Sequence, residues 1–272
     1  METIAKNNAA RANAIIDAYL AWAKNQWWFG MNCGRLLYEK LNLRDATGNN
    51  NRQCLVDNIL LPEQNYRCCY CMRRIINRLD DASIEHIVPQ STTSNEEMLH
   101  YFSARSDGLN AANVCLTTDY VQNGASVPPY PHHVAYHNFV IACRDCNTYR
   151  WHKEIEPLFL FAGIKDEVSY NTDTGEVEWL FDPVYANPMP DLPTMEKVGA
   201  NLPVLKAIRA VWFYSKKNGL SPVTARREDL IYGAWGDSIT AQPAMSDEDF
   251  EAYLSLNTEE MWNKLLKYDY FG

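Results

Sequence analysis

An α+β fold is predicted for this chain of 272 residues. Three observations predict it. Apolar residues recur at spacings of three and four near the N-terminus, the mark of an amphipathic helix. Two Cys-x-x-Cys pairs lie in a turn-rich middle stretch. After that stretch, two β-prone runs flank a turn that contains glycine. The expected division is an N-terminal helical segment over 1–62, a central domain over 63–160 with an insertion at about 91–136, and a hairpin plus mainly helical region over 161–272.

The first helix is expected over residues 3–28, where Ala12, Ile15, Ile16, Tyr19, Trp22, Ala23 and Trp27 form one apolar stripe. A second, short helix is expected over 33–41. "TGNNNRQ" at 47–53 reads as a polar linker. Residues 91–136 include "STTSNEE" and "NGASVPPYPHH"; they exceed a simple connection, so they should carry structure of their own. "EVSYNTDTGEVEWLF" at 167–181 predicts a hairpin, with Gly175 placed for a positive φ. Helices are expected near 194–218, 224–235 and 246–268, the first closed by Gly219 and the last opened by "SDEDF".

Composition bounds the function. Apolar residues make up 47 % of the chain, enough for a sizeable core. No run approaches the roughly 20 apolar residues that a membrane helix needs. The N-terminal "METIAKNNAARANAII" lacks the apolar stretch of a signal peptide. A cytoplasmic protein without a membrane partner is expected. Net charge is −9, which argues against a protein that grips nucleic acid unaided, since such affinity comes largely from phosphate neutralisation. The charge is uneven. Residues 1–62 carry seven basic and five acidic groups, a balance of +2. Residues 63–160 carry eight and eleven, −3, and residues 161–272 carry ten and eighteen, −8. Within the central segment, "YRCCYCMRRIINRL" at 66–79 holds four arginines and no acid.

The Cys-x-x-Cys pairs are Cys68/Cys71 and Cys143/Cys146. In a reducing compartment such pairs bind metal more often than they form disulfides. Each pair can aim two sulfurs at one ion from a tight knuckle, and two knuckles complete a tetrahedral Zn–S4 shell. Structural Zn2+ is therefore expected on Cys68, Cys71, Cys143 and Cys146, with Cys69 an alternative ligand in the first knuckle. Cys33, Cys54 and Cys115 read as core thiols.

"CCYC", then "IEHIVPQS", then "HNFVIACRDCN" resembles the HNH endonuclease family over roughly residues 66–153, about a third of the chain. The shared pattern is a knuckle, an acid-His-Ile-x-Pro stretch, Asn138 five positions before Cys143, and Asn147 directly after Cys146. The resemblance implies a ββα-metal core and metal-dependent phosphodiester hydrolysis. It implies that His86 is the general base facing water, and that Glu85 and Asn147 hold a catalytic Mg2+ or Mn2+. Asn138 would fix the hairpin and the orientation of His86. Many relatives have Asp or His where this chain has Glu85, which moves the metal slightly, and the usual lysine three positions past the last Asn is Arg150. Arg keeps that charge and can hold a phosphate bidentately.

The chemistry is coherent in its own terms. Hydrolysis needs a base with a pKa near neutrality and a cation on the phosphate. Hard oxygen donors suit Mg2+ or Mn2+, while soft thiolates suit zinc. Arg67, Arg73, Arg74, Arg144, Arg150 and Lys153 are the candidate nucleic-acid contacts. His137 is a candidate ligand or phosphate contact and equally a candidate core histidine; His152 reads as solvated, and His100, His132 and His133 are given no role. The expected substrate is DNA, with RNA open, since such a site grips backbone phosphates and reads few bases. The acidic C-terminal part is expected to bind a protein partner. HNH proteins of this size often work beside an ATPase or sensor in bacterial phage defence, of which the Septu-type HNH subunit is one comparison. The other readings are a non-catalytic zinc-ribbon adaptor and a Cys-x-x-Cys redox protein, the latter disfavoured because no βαβ pattern follows either pair.

Overall fold

A computed structural model of the chain describes residues 4–31, 33–42, 50–70, 75, 82–100, 112–124, 128–150 and 168–179, with 196, 201 and 206 singly. Cys71, Arg73, Arg74, His152, Lys153 and the three expected C-terminal helices lie outside the described residues, apart from Glu196, Asn201 and Lys206. Helices and small sheets are mixed, as an α+β class requires. Among the described residues, no helix is long and apolar enough to cross a membrane. The chain divides into two compact units, the first Met1–Cys69, Arg78–Arg144 and Glu154–Lys165, the second Tyr70–Asn77, Asp145–Lys153 and Asp166–Gly272.

In the first unit, helix α1 (Ala9–Ala23) buries Ala12, Ile16, Tyr19, Leu20 and Ala23, one face at spacings of three and four. The helix stops at Ala23, five residues short of the expected end. Turns follow, with Gly30 at a φ of 94°. The helical phase is lost there. Trp27, expected in the stripe, is 83 % exposed, and Trp28 is buried instead, its ring 6.0 Å from that of Trp22. Helix α2 (Cys33–Lys40) follows, and its Leu37 carbonyl accepts a hydrogen bond from the buried Tyr19 hydroxyl.

The polar stretch at 47–53 is a linker only in part. The Asn50 side chain accepts from Gln53 N–H at 3.0 Å and so caps helix α3 (Asn51–Leu55). The helix runs through a π-helical stretch (Val56–Leu60) into a last turn (Leu61–Glu63). Asn65 and Tyr66 end it at φ values of 49° and 58°. This left-handed conformation is unusual for a tyrosine, and it leads the chain directly into the first knuckle.

The central sheet pairs β1 (Ala82–His86) antiparallel to β4 (Phe139–Cys143), with Glu85 opposite Val140 and His86 opposite Phe139. All five residues of β4 are buried. Its other edge is covered by a side chain. Gln64 Oε1 accepts from Ile141 N–H at 2.7 Å while Gln64 Nε2 donates to the Ile141 carbonyl at 2.8 Å. The Cys69 N–H also donates to Ile141 O, at 2.9 Å, and this draws Cys69 and its neighbour Cys68 onto β4. Helix α6 (Arg144–Arg150) continues the chain from β4, its residues after Arg144 belonging to the second unit.

Between the strands, the described residues of the insertion form several short elements. It contains α4 (Asn95–His100), β2 (Val114–Cys115), α5 (Thr117–Asn123) and β3 (Tyr130–Pro131), and β2 pairs parallel to β3. A buried polar network joins the N-terminal segment to the region before β4. Glu63 Oε1 accepts from Asn8 N–H at 3.1 Å, from Asn8 Nδ2 at 2.8 Å and from the Tyr136 hydroxyl, and Lys6 Nζ donates to Phe139 O. Burial lowers the Lys6 pKa to about 8, partly offset by Glu63.

In the second unit, β5 (Val168–Tyr170) and β6 (Val177–Trp179) form the expected hairpin, with Gly175 at a φ of 71°. Asn171 organises the turn, its Oδ1 accepting from the N–H groups of Asp173 and Thr174, each at 3.0 Å.

Candidate functional site

The first candidate is a thiol cluster. Cys68, Cys143 and Cys146 are buried, and their sulfurs all lie within 4.8 Å of one another. Chain geometry explains two of them: Cys143 ends β4 and Cys146 sits one helical turn on, in α6. The docking of the Cys69 N–H on Ile141 brings in Cys68. Three converging thiols could hold a metal ion, and the soft donor set suits zinc. Cys71, the expected fourth ligand, lies outside the described residues.

The second candidate surrounds the end of β1. Glu85 and His86 are adjacent on the strand, so their side chains leave opposite faces. Both are buried, at 7 % and 5 % exposed. The expectation of a histidine facing water is replaced by an enclosed ring. Tyr38 packs against it at 4.7 Å and Phe139 at 5.1 Å between ring centroids, both edge-on. Both ring nitrogens are engaged: Nε2 lies 3.1 Å from the His133 carbonyl and Nδ1 lies 3.2 Å from Gln90 Nε2. A carbonyl only accepts, so Nε2 carries the proton. Nδ1 is then the lone-pair nitrogen, and it accepts from the Gln90 amide. Burial above all lowers the His86 pKa to about 3; the His133 carbonyl raises it, and the charges of His133 and Arg52 lower it further. The ring is neutral at neutral pH.

Asn138 is fully buried, in the turn just before β4. Its Oδ1 accepts from Val88 N–H at 2.7 Å, and its Nδ2 donates to Val88 O at 3.1 Å and His132 O at 2.7 Å. One amide thus joins three backbone groups from two segments that flank His86. His137 is buried and stacked edge-on to Tyr136 at 5.0 Å, and burial lowers its pKa. Asn147 lies half-buried in α6, Arg144 is exposed beside it, Arg67 is half-buried before the knuckle, and Arg150 is the last residue of α6.

Sequence reasoning gave His132 and His133 no role, yet both are buried near His86. Their ring centroids are 4.0 Å apart, and that of His133 is 6.5 Å from that of His86. Thr117, at the start of α5, holds them: its N–H donates to His132 Nδ1 at 3.2 Å, and its Oγ1 lies 2.6 Å from His133 Nδ1. Burial lowers the pKa of His132 to about 3 and of His133 to about 4. The available signal was density: His132, His133 and His137 fall within six positions just before Asn138.

No family model, no curated protein and no solved structure matches this chain.

Proposed function

We propose that the chain is a metal-dependent endonuclease of the HNH type that hydrolyses phosphodiester bonds in DNA. One observation carries the reading. The Glu85–His86 strand pairs antiparallel with the strand ending in Cys143, and a helix bearing Cys146 and Asn147 follows at once. That is the strand–strand–helix order in which the sequence motif would operate, interrupted only by the insertion. His86 supports it further. With its proton on Nε2 the imidazole has its lone pair on Nδ1, the geometry a base needs, although burial holds its pKa at about 3, and entry of water would have to raise it toward neutrality for that role. Gln90, whose amide now fills that lone pair, is solvent-exposed, so a water can take its place when the side chain swings away.

Glu85 and Asn147 would hold the catalytic Mg2+ or Mn2+, a donor set of hard oxygens that suits either ion. Such an ion supplies charge on the scissile phosphate. The chain's own residues do the rest. His86 Nδ1 takes a proton from the attacking water, the His133 carbonyl keeps the ring in the required tautomer, and Asn138 holds the two segments on which that geometry depends. Zn2+ on Cys68, Cys143 and Cys146, with Cys71 as fourth ligand, would anchor the helix that carries Asn147. With a net charge of −9, DNA affinity is expected to come partly from a protein docked on the acidic C-terminal part, such as an ATPase or sensor in a phage-defence system.

The enclosure of His86 favours a second reading, a zinc-ribbon adaptor in which this histidine is purely structural. A plasmid-nicking assay with Mg2+ or Mn2+ separates the two. The nuclease reading expects cleavage by the wild type and a loss of about a hundredfold or more in His86→Ala, since a general base contributes roughly 10²–10⁴. Cleavage by His86→Ala at the wild-type rate removes His86 from the chemistry, and absence of cleavage by wild type with either ion favours the adaptor.

A further inference from the structure

The insertion between β1 and β4 lies outside the motif that suggests a nuclease, but it supplies the acceptor for His86 Nε2. That acceptor is a backbone carbonyl, that of His133, and its position depends on how His133 is held. Besides a bond from its ring to the Gln90 backbone, two features hold it. On one side, Thr117 Oγ1 lies 2.6 Å from His133 Nδ1. On the other, Gly34 of α2 leaves the space the imidazole occupies: a Cβ at position 34 would stand 2.6 Å from His133 Cε1 and 2.9 Å from its Nε2. Thr117 is itself fixed, because its N–H is bound by His132 Nδ1 at 3.2 Å. His86, Thr117, His132 and His133 are buried, so each is set by packing and bonds rather than by solvent.

We propose that Thr117 and His133 are positioning residues that hold the His86 imidazole in its Nε2–H tautomer. The chain of contacts runs from the Thr117 hydroxyl to the His133 ring, from that ring to its own carbonyl, and from the carbonyl to His86 Nε2. Without the hydroxyl the His133 ring keeps only its bond to the Gln90 backbone, and the carbonyl can shift relative to His86. The proton of His86 then redistributes between Nε2 and Nδ1, and the fraction of rings with a free Nδ1 lone pair falls. The kinetic part of this inference rests on His86 acting as the base; the tautomer part does not.

The test uses the full chain labelled with 15N-histidine, the His86 resonances being assigned by their loss in His86→Gln. Ring 15N–1H correlations report the tautomer, and plasmid cleavage with Mn2+ reports kcat and KM. The wild type is expected to show the Nε2–H pattern at His86. Thr117→Val keeps the side-chain shape and removes the hydroxyl; it should show mixed tautomers and a kcat lowered about tenfold, with KM within about twofold, since small misplacements of a reacting group cost about this much or more. Thr117→Ser should restore both. Gly34→Ala, which pushes on His133 from the opposite side, should reproduce the Thr117→Val signature even though alanine is favoured over glycine in a helix. An Nδ1–H or charged His86 in the wild type overturns the proposal without any variant. So does a Thr117→Val protein with the wild-type tautomer and kcat, or failure of Thr117→Ser to restore either. If the wild type cleaves nothing, the nuclease reading fails separately; mixed tautomers in Thr117→Val then still support the positioning role, and an unchanged pattern still overturns it.

Discussion

Asn138→Ala is expected to be among the most destabilising single substitutions in the first unit. The wild-type amide is fully buried and bonds Val88 N–H, Val88 O and His132 O. Alanine leaves all three backbone groups without that partner. An unsatisfied buried group costs about 1–3 kcal/mol, so three cost about 3–9 if nothing relaxes. The residues around the gap include Val88, also fully buried, which limits entry of water. Partial relaxation brings the expected loss to about 4 kcal/mol, a large fraction of the roughly 5–15 kcal/mol by which domains are stable. Urea denaturation followed by tryptophan fluorescence measures it. Asn138→Asp separates the two halves of the amide: its carboxylate can still accept from Val88 N–H but would face two carbonyls, so it should be at least as unstable. The strand link itself remains in both variants, because Ile87 N–H donates to the Asn138 carbonyl at 3.1 Å. A loss under about 1 kcal/mol in Asn138→Ala would refute the reasoning, since it would mean that the three groups find other partners.

Further expectations concern metal, pH and salt. Cys143→Ser should lose bound zinc by elemental analysis and unfold, because structural zinc contributes on the order of 10 kcal/mol to folding. Cys115→Ser should be much milder: its thiol is half-buried, donating to the Pro129 carbonyl at 3.3 Å, and equal behaviour of the two variants would contradict the thiol site. Stability should fall as pH drops from about 6.5, because the unfolded chain then protonates His132 and His133 while the folded chain, with pKa values of about 3 and about 4, does not. Each contributes a slope of about 1.4 kcal/mol per pH unit until pH nears its folded value, and a urea midpoint that is flat between pH 7 and pH 5 would contradict their burial as neutral rings. The isolated chain should bind DNA weakly at about 150 mM salt, and tight binding with a steep salt slope would remove the need for a partner.

Local pattern made several elements legible from the sequence. The α1 stripe, the short α2 and the hairpin around Gly175 depend on spacing and turn chemistry within a few residues, and such signals survive whatever the chain does elsewhere. Cysteine spacing likewise pointed to a metal site whose thiols Cys68, Cys143 and Cys146 converge. The phase break after Ala23 was less visible. Trp22, Trp27 and Trp28 all fit an apolar stripe, and the choice between Trp27 and Trp28 is made by where the helix ends.

By itself, then, the sequence determined the mixed class, the knuckle pairs and the order of the Glu-His and Asn positions, because these are properties of neighbours along the chain. Tertiary structure alone decided what surrounds His86. Its ring is enclosed by Tyr38 from α2, Phe139 from β4 and the carbonyl of His133 from the insertion, which are separated from it by 47 to 53 positions. Spacing along the chain carries no signal across such distances. Burial, which sets both the tautomer and the pKa of that ring, arises only when those segments close around it.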